Sequence, residues 1–139
     1  GFATGRIVSW RRWRRFSPKG SDLAEKCMIE TYDFGKIVIK GVEYDRDVII
    51  YPDRVEDRWW RRKGHELCVD DVKAIVDEKP KVLIVGTGYY GLMKILPETK
   101  RFIESQGIEL VINETQKACK AYNLISPSKK TVAALHLTC

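Results

Sequence analysis

Apolar positions from Met28 onward change period along the chain, and the change divides it in two. In the first half they form short blocks: Ile37, Val38 and Ile39 lie between Gly35 and Gly41, and Val48, Ile49, Ile50 and Tyr51 stop at Pro52. Blocks bounded in this way by turn residues predict two strands, joined through residues 40–47. Residues 53–60 predict a third strand or an edge segment, in which the adjacent Trp59 and Trp60 point to opposite faces. The spacing then turns helical, with Val69, Val72, Ile75 and Val76 on one face until Lys79 and Pro80 end the helix. Residues 82–85 are continuously apolar and mostly β-branched, which suits a strand covered on both faces. Pro97 fits a first helical position and Gly107 a terminator, predicting a helix of about 10 residues between them. Residues 108–112 predict the next strand. Asn113 with Gln116 has the spacing of a capping box, and Thr115, Ala118, Cys119 and Tyr122 form the apolar stripe of a last helix. Residues 132–137 close the pattern as a buried strand. The second half thus reads strand, helix, strand, helix, strand, an order that predicts a layered α/β domain with a partly parallel sheet.

Length and cysteine usage narrow the class. With 139 residues the chain is of single-domain size. Cys27, Cys68, Cys119 and Cys139 are widely separated and form no Cys-x-x-Cys pair, so a reduced, cytoplasmic protein is the expectation. No apolar run approaches the roughly 18 residues of a membrane span. The net charge of +6 suggests nucleic acid until it is divided along the chain. Residues 1–27 hold seven basic and two acidic residues, whereas residues 28–139 hold 18 basic and 17 acidic ones. The domain, residues 28–139, is therefore nearly neutral, and residues 1–27 read as a basic N-terminal extension outside the fold. Their mixture of arginines with Trp10, Trp13 and Phe16 suits a phosphate backbone or an anionic membrane surface. An appendage without function and a targeting segment are the competing readings. Any nucleic-acid binding is expected through this extension alone.

The sharpest chemical signal is a glycine loop after the continuous apolar strand. Gly86, Gly88 and Gly91 give the Gly-x-Gly-x-x-Gly spacing that lets backbone amides approach a phosphate. In a dinucleotide-binding fold the last glycine opens a helix directly, but here residues 92–96 intervene before Pro97, so a structural turn with close backbone packing is the stronger reading. Two His-x-x-Cys pairs, His65 with Cys68 and His136 with Cys139, have the composition of a Cys₂His₂ metal set. Residues three apart on a strand point to opposite faces, so no metal is expected and His136 reads as a satisfied core histidine.

Four stretches together carry a resemblance: DFGKIVIKG at 33–41, YDRDVIIYP at 44–52, VGTGYYG at 85–91 and HLTC at 136–139. In this order they resemble the adipogenesis-associated Mth-type domain family of unknown function, which also includes a mitochondrial NADH dehydrogenase (complex I) assembly factor. The resemblance covers residues 28–139. It implies a three-layer α/β domain with a mixed central β-sheet and an additional β-hairpin layer, and it implies no reaction, catalytic residue or cofactor. It also implies that the glycine loop and the 136–139 tail form a shared surface feature.

The candidate binding residues are accordingly Gly86, Thr87, Gly88, Tyr89, Tyr90 and Gly91 with His136 and Cys139. Tyrosines on a glycine-framed loop offer amphipathic contact area of the kind enriched at interface centres. A non-enzymatic binding or assembly module with a protein partner is the first expectation, and a second copy of the chain is a further partner left open. The alternative is a small molecule bearing a phosphate, such as a nucleotide, at the same loop, with a catalytic use of His136 or Cys139.

Overall fold

The computed structural model describes residues 28–138; residues 1–27 and Cys139, and the expectations that fall on them, lie outside the described residues. The chain runs β1 (Ile29–Asp33), β2 (Lys36–Ile39), β3 (Val42–Tyr44), β4 (Val48–Tyr51), β5 (Arg54–Glu56), β6 (Glu66–Leu67), α1 (Val69–Asp77), β7 (Val82–Thr87), β8 (Lys94–Ile95), α2 (Pro97–Ser105), β9 (Glu109–Asn113), α3 (Thr115–Ile125) and β10 (Thr131–His136). Five strands form one mixed sheet in the order β9-β7-β10-β4-β5. β7 lies between β9 and β10 and pairs with both in parallel, while β4 runs antiparallel to β10 and β5 closes the edge.

Alternation within the buried strands sorts their side chains onto two faces. Val48, Ile50, Val82, Ile84, Ala133 and Leu135 meet Ala118, Cys119 and Tyr122 of α3, together with Ile29, Ile37 and Ile39 of β1 and β2. Ile49, Tyr51, Leu83, Val85, Val132 and Ala134 meet Val72, Ile75 and Ile103 from α1 and α2, with Trp59 filling the rim. Every residue of β4, β7 and β10 is buried, as strands covered on both sides require. The result is three layers, with α1 and α2 on one face and α3 on the other. The added β layer beside α3 is an antiparallel three-stranded sheet, β1-β2-β3, one strand more than a hairpin.

Two local expectations change in detail. α2 ends at Ser105, with Gly107 at φ +78° beyond it, where glycine adopts the left-handed conformation at least cost. The expected capping box at Asn113 does not form: Asn113 stays in β9 opposite Gly86, Glu114 is the N-cap of α3, and no side chain caps the helix. The ladder holds Asn113 in extended backbone, and the hydroxyl of Thr115 is committed elsewhere. Trp59 and Trp60 do face opposite ways, 8% and 76% exposed, although they stand in irregular chain rather than in a strand.

Candidate functional site

The C-terminal ends of β7 and β10 lie side by side, and residues 86–91 and His136 of the sequence-predicted set gather there, Cys139 being outside the described residues. Thr87 is the register partner of His136, and the Tyr89 amide donates to the Thr138 carbonyl at 2.7 Å. Thr115 ties the two strand ends to α3: its Oγ1 accepts from the Gly88 amide at 2.8 Å and donates to the His136 carbonyl at 2.6 Å. Gly86 has to be glycine, because a Cβ there would stand 2.8 Å from Thr115 Oγ1 and 2.9 Å from Leu135 Cδ2. Gly88 and Gly91 hold φ of +107° and +69°, the region open to glycine. The loop amides turn inward: besides those of Gly88 and Tyr89, the Gly91 amide donates to the Gly88 carbonyl at 3.2 Å. The close-packing reading of the glycine spacing therefore matches the hydrogen bonds.

Outward from this turn stand aromatic rings. Tyr89 meets Phe34 and Tyr90 edge to face, with centroids 5.6 and 5.1 Å apart, and Tyr32 leans on Tyr89 at 6.2 Å. Phe34 is 49% and Tyr90 65% exposed, and the neighbouring Leu92 is exposed as well. Phe34 comes from the β1–β2 turn, which the Gly35 amide fastens to the Leu137 carbonyl at 2.9 Å. The same carbonyl accepts from the Tyr32 hydroxyl at 2.8 Å, and burial pushes the Tyr32 phenol well above its ordinary pKa. On the other flank of the loop is an open groove of about 610 Å³, lined by Thr87, Tyr90, Lys94, Lys100, Asn113 and Glu114 among others. It lies where β7 continues to α2 on one face and β9 to α3 on the other, the crevice position of open α/β sheets.

A second cluster adjoins the end of β10. Asp47, just before β4, accepts from the Leu137 amide through Oδ1 at 2.8 Å. Its Oδ2 lies 2.8 Å from both His136 Nδ1 and Arg61 Nη2. A carboxylate oxygen can only accept, so Nδ1 of His136 carries the proton, and the 3.0 Å approach of Arg61 to that nitrogen follows from sharing Oδ2. Burial disfavours the Asp47 charge, but the hydrogen bonds from His136 and Leu137 and the neighbouring Arg61 guanidinium outweigh it and hold its pKa below the usual carboxylate value. Arg61 lies over the Trp59 ring at 4.7 Å and donates to the Gly64 carbonyl at 3.1 Å. Its side chain is 5% exposed, and its Nε and Nη1 are buried without an acceptor among the described residues. Each such group costs on the order of 1–3 kcal/mol.

The two histidines of the His-x-x-Cys pairs also meet here, with ring centroids 6.1 Å apart. Cys68 does not join them: Asp71 Oδ2 accepts from both its amide and its thiol at the start of α1. Among the described residues no group of three or more His, Cys, Asp or Glu could hold a metal ion. Sequence reasoning missed Asp47 and Arg61 as partners of His136 and missed Phe34 in the aromatic group. Separations of 89 and 75 positions carry no periodic signal for the first two. The exposed Phe34 beside Gly35 in a tight turn was the readable hint for the third.

The chain matches the family model "Protein of unknown function (DUF498/DUF598)" over residues 29–136. It is similar to the solved structure of a conserved hypothetical protein of Pyrococcus horikoshii, at 34% identity, covering 80% of this chain and 98% of that one with a TM-score of 0.70. A Bordetella pertussis protein described as an Mth938-like domain matches at 20% identity, with 88% and 90% of the two chains covered and a TM-score of 0.59. A Bartonella henselae protein described as an outer membrane protein shares the fold at 18% identity, covering 84% and 98% with a TM-score of 0.70. Among the described residues of this chain no helix is long and apolar enough to cross a membrane. The chain belongs to the DUF498/DUF598 family of proteins of unknown function, and its fold is that of an Mth938-like domain.

Proposed function

We propose that this domain is a non-enzymatic binding or assembly module whose protein partner docks on the aromatic face of the glycine loop. The observation that carries the reading is the exposed group of Phe34, Tyr89 and Tyr90, three rings from two separate loops in mutual contact. Monomeric surfaces rarely present such rings contiguously, and aromatic residues are enriched at the energetic centres of interfaces. The loop beneath them is stiffened by inward hydrogen bonds to Thr115, Thr138 and Gly88, so little conformational entropy is lost when a partner binds. The same bonds count against a phosphate on this loop, since that reading needs several amides aimed outward.

The test is a pull-down with the full chain against Phe34→Ala, Tyr89→Ala and Tyr90→Ala. Each residue is substantially exposed, so the variants are expected to fold as the parent does while losing a shared set of captured proteins. Loss of a central aromatic side chain typically weakens an interface by about 2 kcal/mol or more. Recovery of the same proteins by all three variants would remove this surface as the binding site.

A further inference from the structure

Tyr90 belongs to two surfaces at once. On one flank its ring meets Phe34 and Tyr89, and on the other it lines the open groove of about 610 Å³. A partner seated on the aromatic group thus has the groove beside it, and the residues there fix what that partner would bring.

Two lysines line the groove, both with their backbones held. The Lys94 amide donates to the His65 carbonyl at 2.8 Å, and the Lys100 amide donates to the Leu96 carbonyl at 3.1 Å in the first turn of α2. The Thr99 hydroxyl, donating to the Leu67 carbonyl at 2.8 Å, ties that turn to β6. Lys63, Lys73 and Lys129 each stand 3.2 to 3.7 Å from a carboxylate, whereas among the described residues neither Lys94 nor Lys100 has an acidic partner. Glu66, the register partner of Lys94, is paired with Lys63. Glu114 is the one carboxylate among the lining residues, so two lysines face one glutamate and the groove is electropositive.

Room and approach are both open, because Tyr90, Lys94, Lys100, Ile112 and Glu114 are all exposed along it. A small molecule needs a site that encloses most of its surface. A chain segment already anchored on the neighbouring rings does not. Residues 1–27, with seven basic residues against two acidic, have the wrong sign to fill the groove themselves.

We propose that the protein partner of the aromatic face carries a cluster of Asp and Glu side chains beside its apolar anchor, and that these carboxylates lie in the groove against Lys94 and Lys100. This rests on the docking proposed above and adds the chemistry of the partner. Exposed charge contacts are individually weak, so the rings supply most of the affinity while the lysines govern encounter rate and the choice of partner.

The experiment repeats the pull-down with the full chain, Tyr89→Ala and the double variant Lys94→Glu/Lys100→Glu, at low and at high salt. Bound proteins are then treated with a water-soluble carbodiimide, which activates a carboxylate for attack by a lysine amine and joins the two as an amide with release of the urea, and joined peptides are identified by mass spectrometry. Lys94 or Lys100 of the parent is expected to be joined to an Asp or Glu of a protein that Tyr89→Ala fails to capture. Reversing both charges should weaken capture of that protein about tenfold at low salt and less at high salt. Capture undiminished in the double variant, or no peptide joined at either lysine, overturns the acidic segment and leaves the aromatic docking standing. Capture that nuclease treatment abolishes assigns the lysines to nucleic acid and overturns it as well. Capture lost in the double variant but kept in Phe34→Ala, Tyr89→Ala and Tyr90→Ala overturns the docking on the rings, and with it the combined surface. If the double variant does not fold, the joined peptides of the parent decide alone.

Discussion

Asp47 joins three chain segments that share no local sequence relation, which makes it the residue whose loss is most informative. Asp47→Asn leaves the enclosed Arg61 without its counter-charge and replaces the oxygen that holds His136 Nδ1–H by a weaker neutral acceptor. Breaking one member of a buried pair costs about 3–5 kcal/mol, and urea unfolding at neutral pH should show a loss toward that range. Because the folded pKa of Asp47 is depressed, its contribution is present above the ordinary carboxylate pKa of about 3.9 and is lost as pH falls through the lower folded value. The parent should therefore lose stability below about pH 4 more steeply than Asp47→Asn does. Parallel pH profiles for the two proteins would show that folding leaves the Asp47 pKa where it stands in the unfolded chain. The sequence places Asp47 in a turn before a strand and says nothing of its partners, since a contact between a loop and a strand end depends on how two layers stack.

At the scale of elements, the strand β7, its glycine loop and the start of α3 behave as one unit. Gly86 allows Thr115 Oγ1 to reach both the Gly88 amide and the His136 carbonyl of β10, and the Gly88 carbonyl in turn accepts from the Thr115 amide at 3.0 Å in the first turn of α3, which has no side-chain cap. Gly86→Ala forces a methyl against the Thr115 backbone as well as its hydroxyl, with Cα at 3.2 Å, so the neighbour cannot yield by a rotamer change alone. Overpacking of this kind costs about 1–3 kcal/mol, and denaturant unfolding should register it. A variant as stable as the parent would show that α3 shifts freely against β7. The apolar run and the glycine spacing made this strand and turn readable from the sequence alone. The misplaced capping box shows where local reading stopped: Asn113 and Gln116 had the right spacing, but pairing with Gly86 kept Asn113 in the sheet.

For the whole molecule, the division of charge leads to a prediction about residues 1–27. The chain beginning at Met28 lacks five net positive charges and retains every element described here, so its melting temperature should stay close to that of the full chain. Any DNA binding by the full chain should disappear with these residues and weaken steeply with salt, because counterion release scales with the phosphates neutralised. A large fall in melting temperature on truncation would show instead that residues 1–27 cover apolar surface of the domain. Periodicity and turn residues alone determined the order β4, α1, β7, α2, β9, α3 and β10, because each of these elements must show the core a face at its own repeat, whereas the two-residue strands β6 and β8 left no periodic signal. They also determined that β7 and β10 are interior strands, since only a strand covered twice is apolar at consecutive positions. The strand order β9-β7-β10-β4-β5 was decided by tertiary structure, as was the placing of Phe34 against Tyr89 and of Arg61 against Asp47 and His136. The physical reason is that periodicity records which side of an element is buried, whereas the neighbour on that side is chosen by packing and hydrogen bonding between segments far apart in the chain.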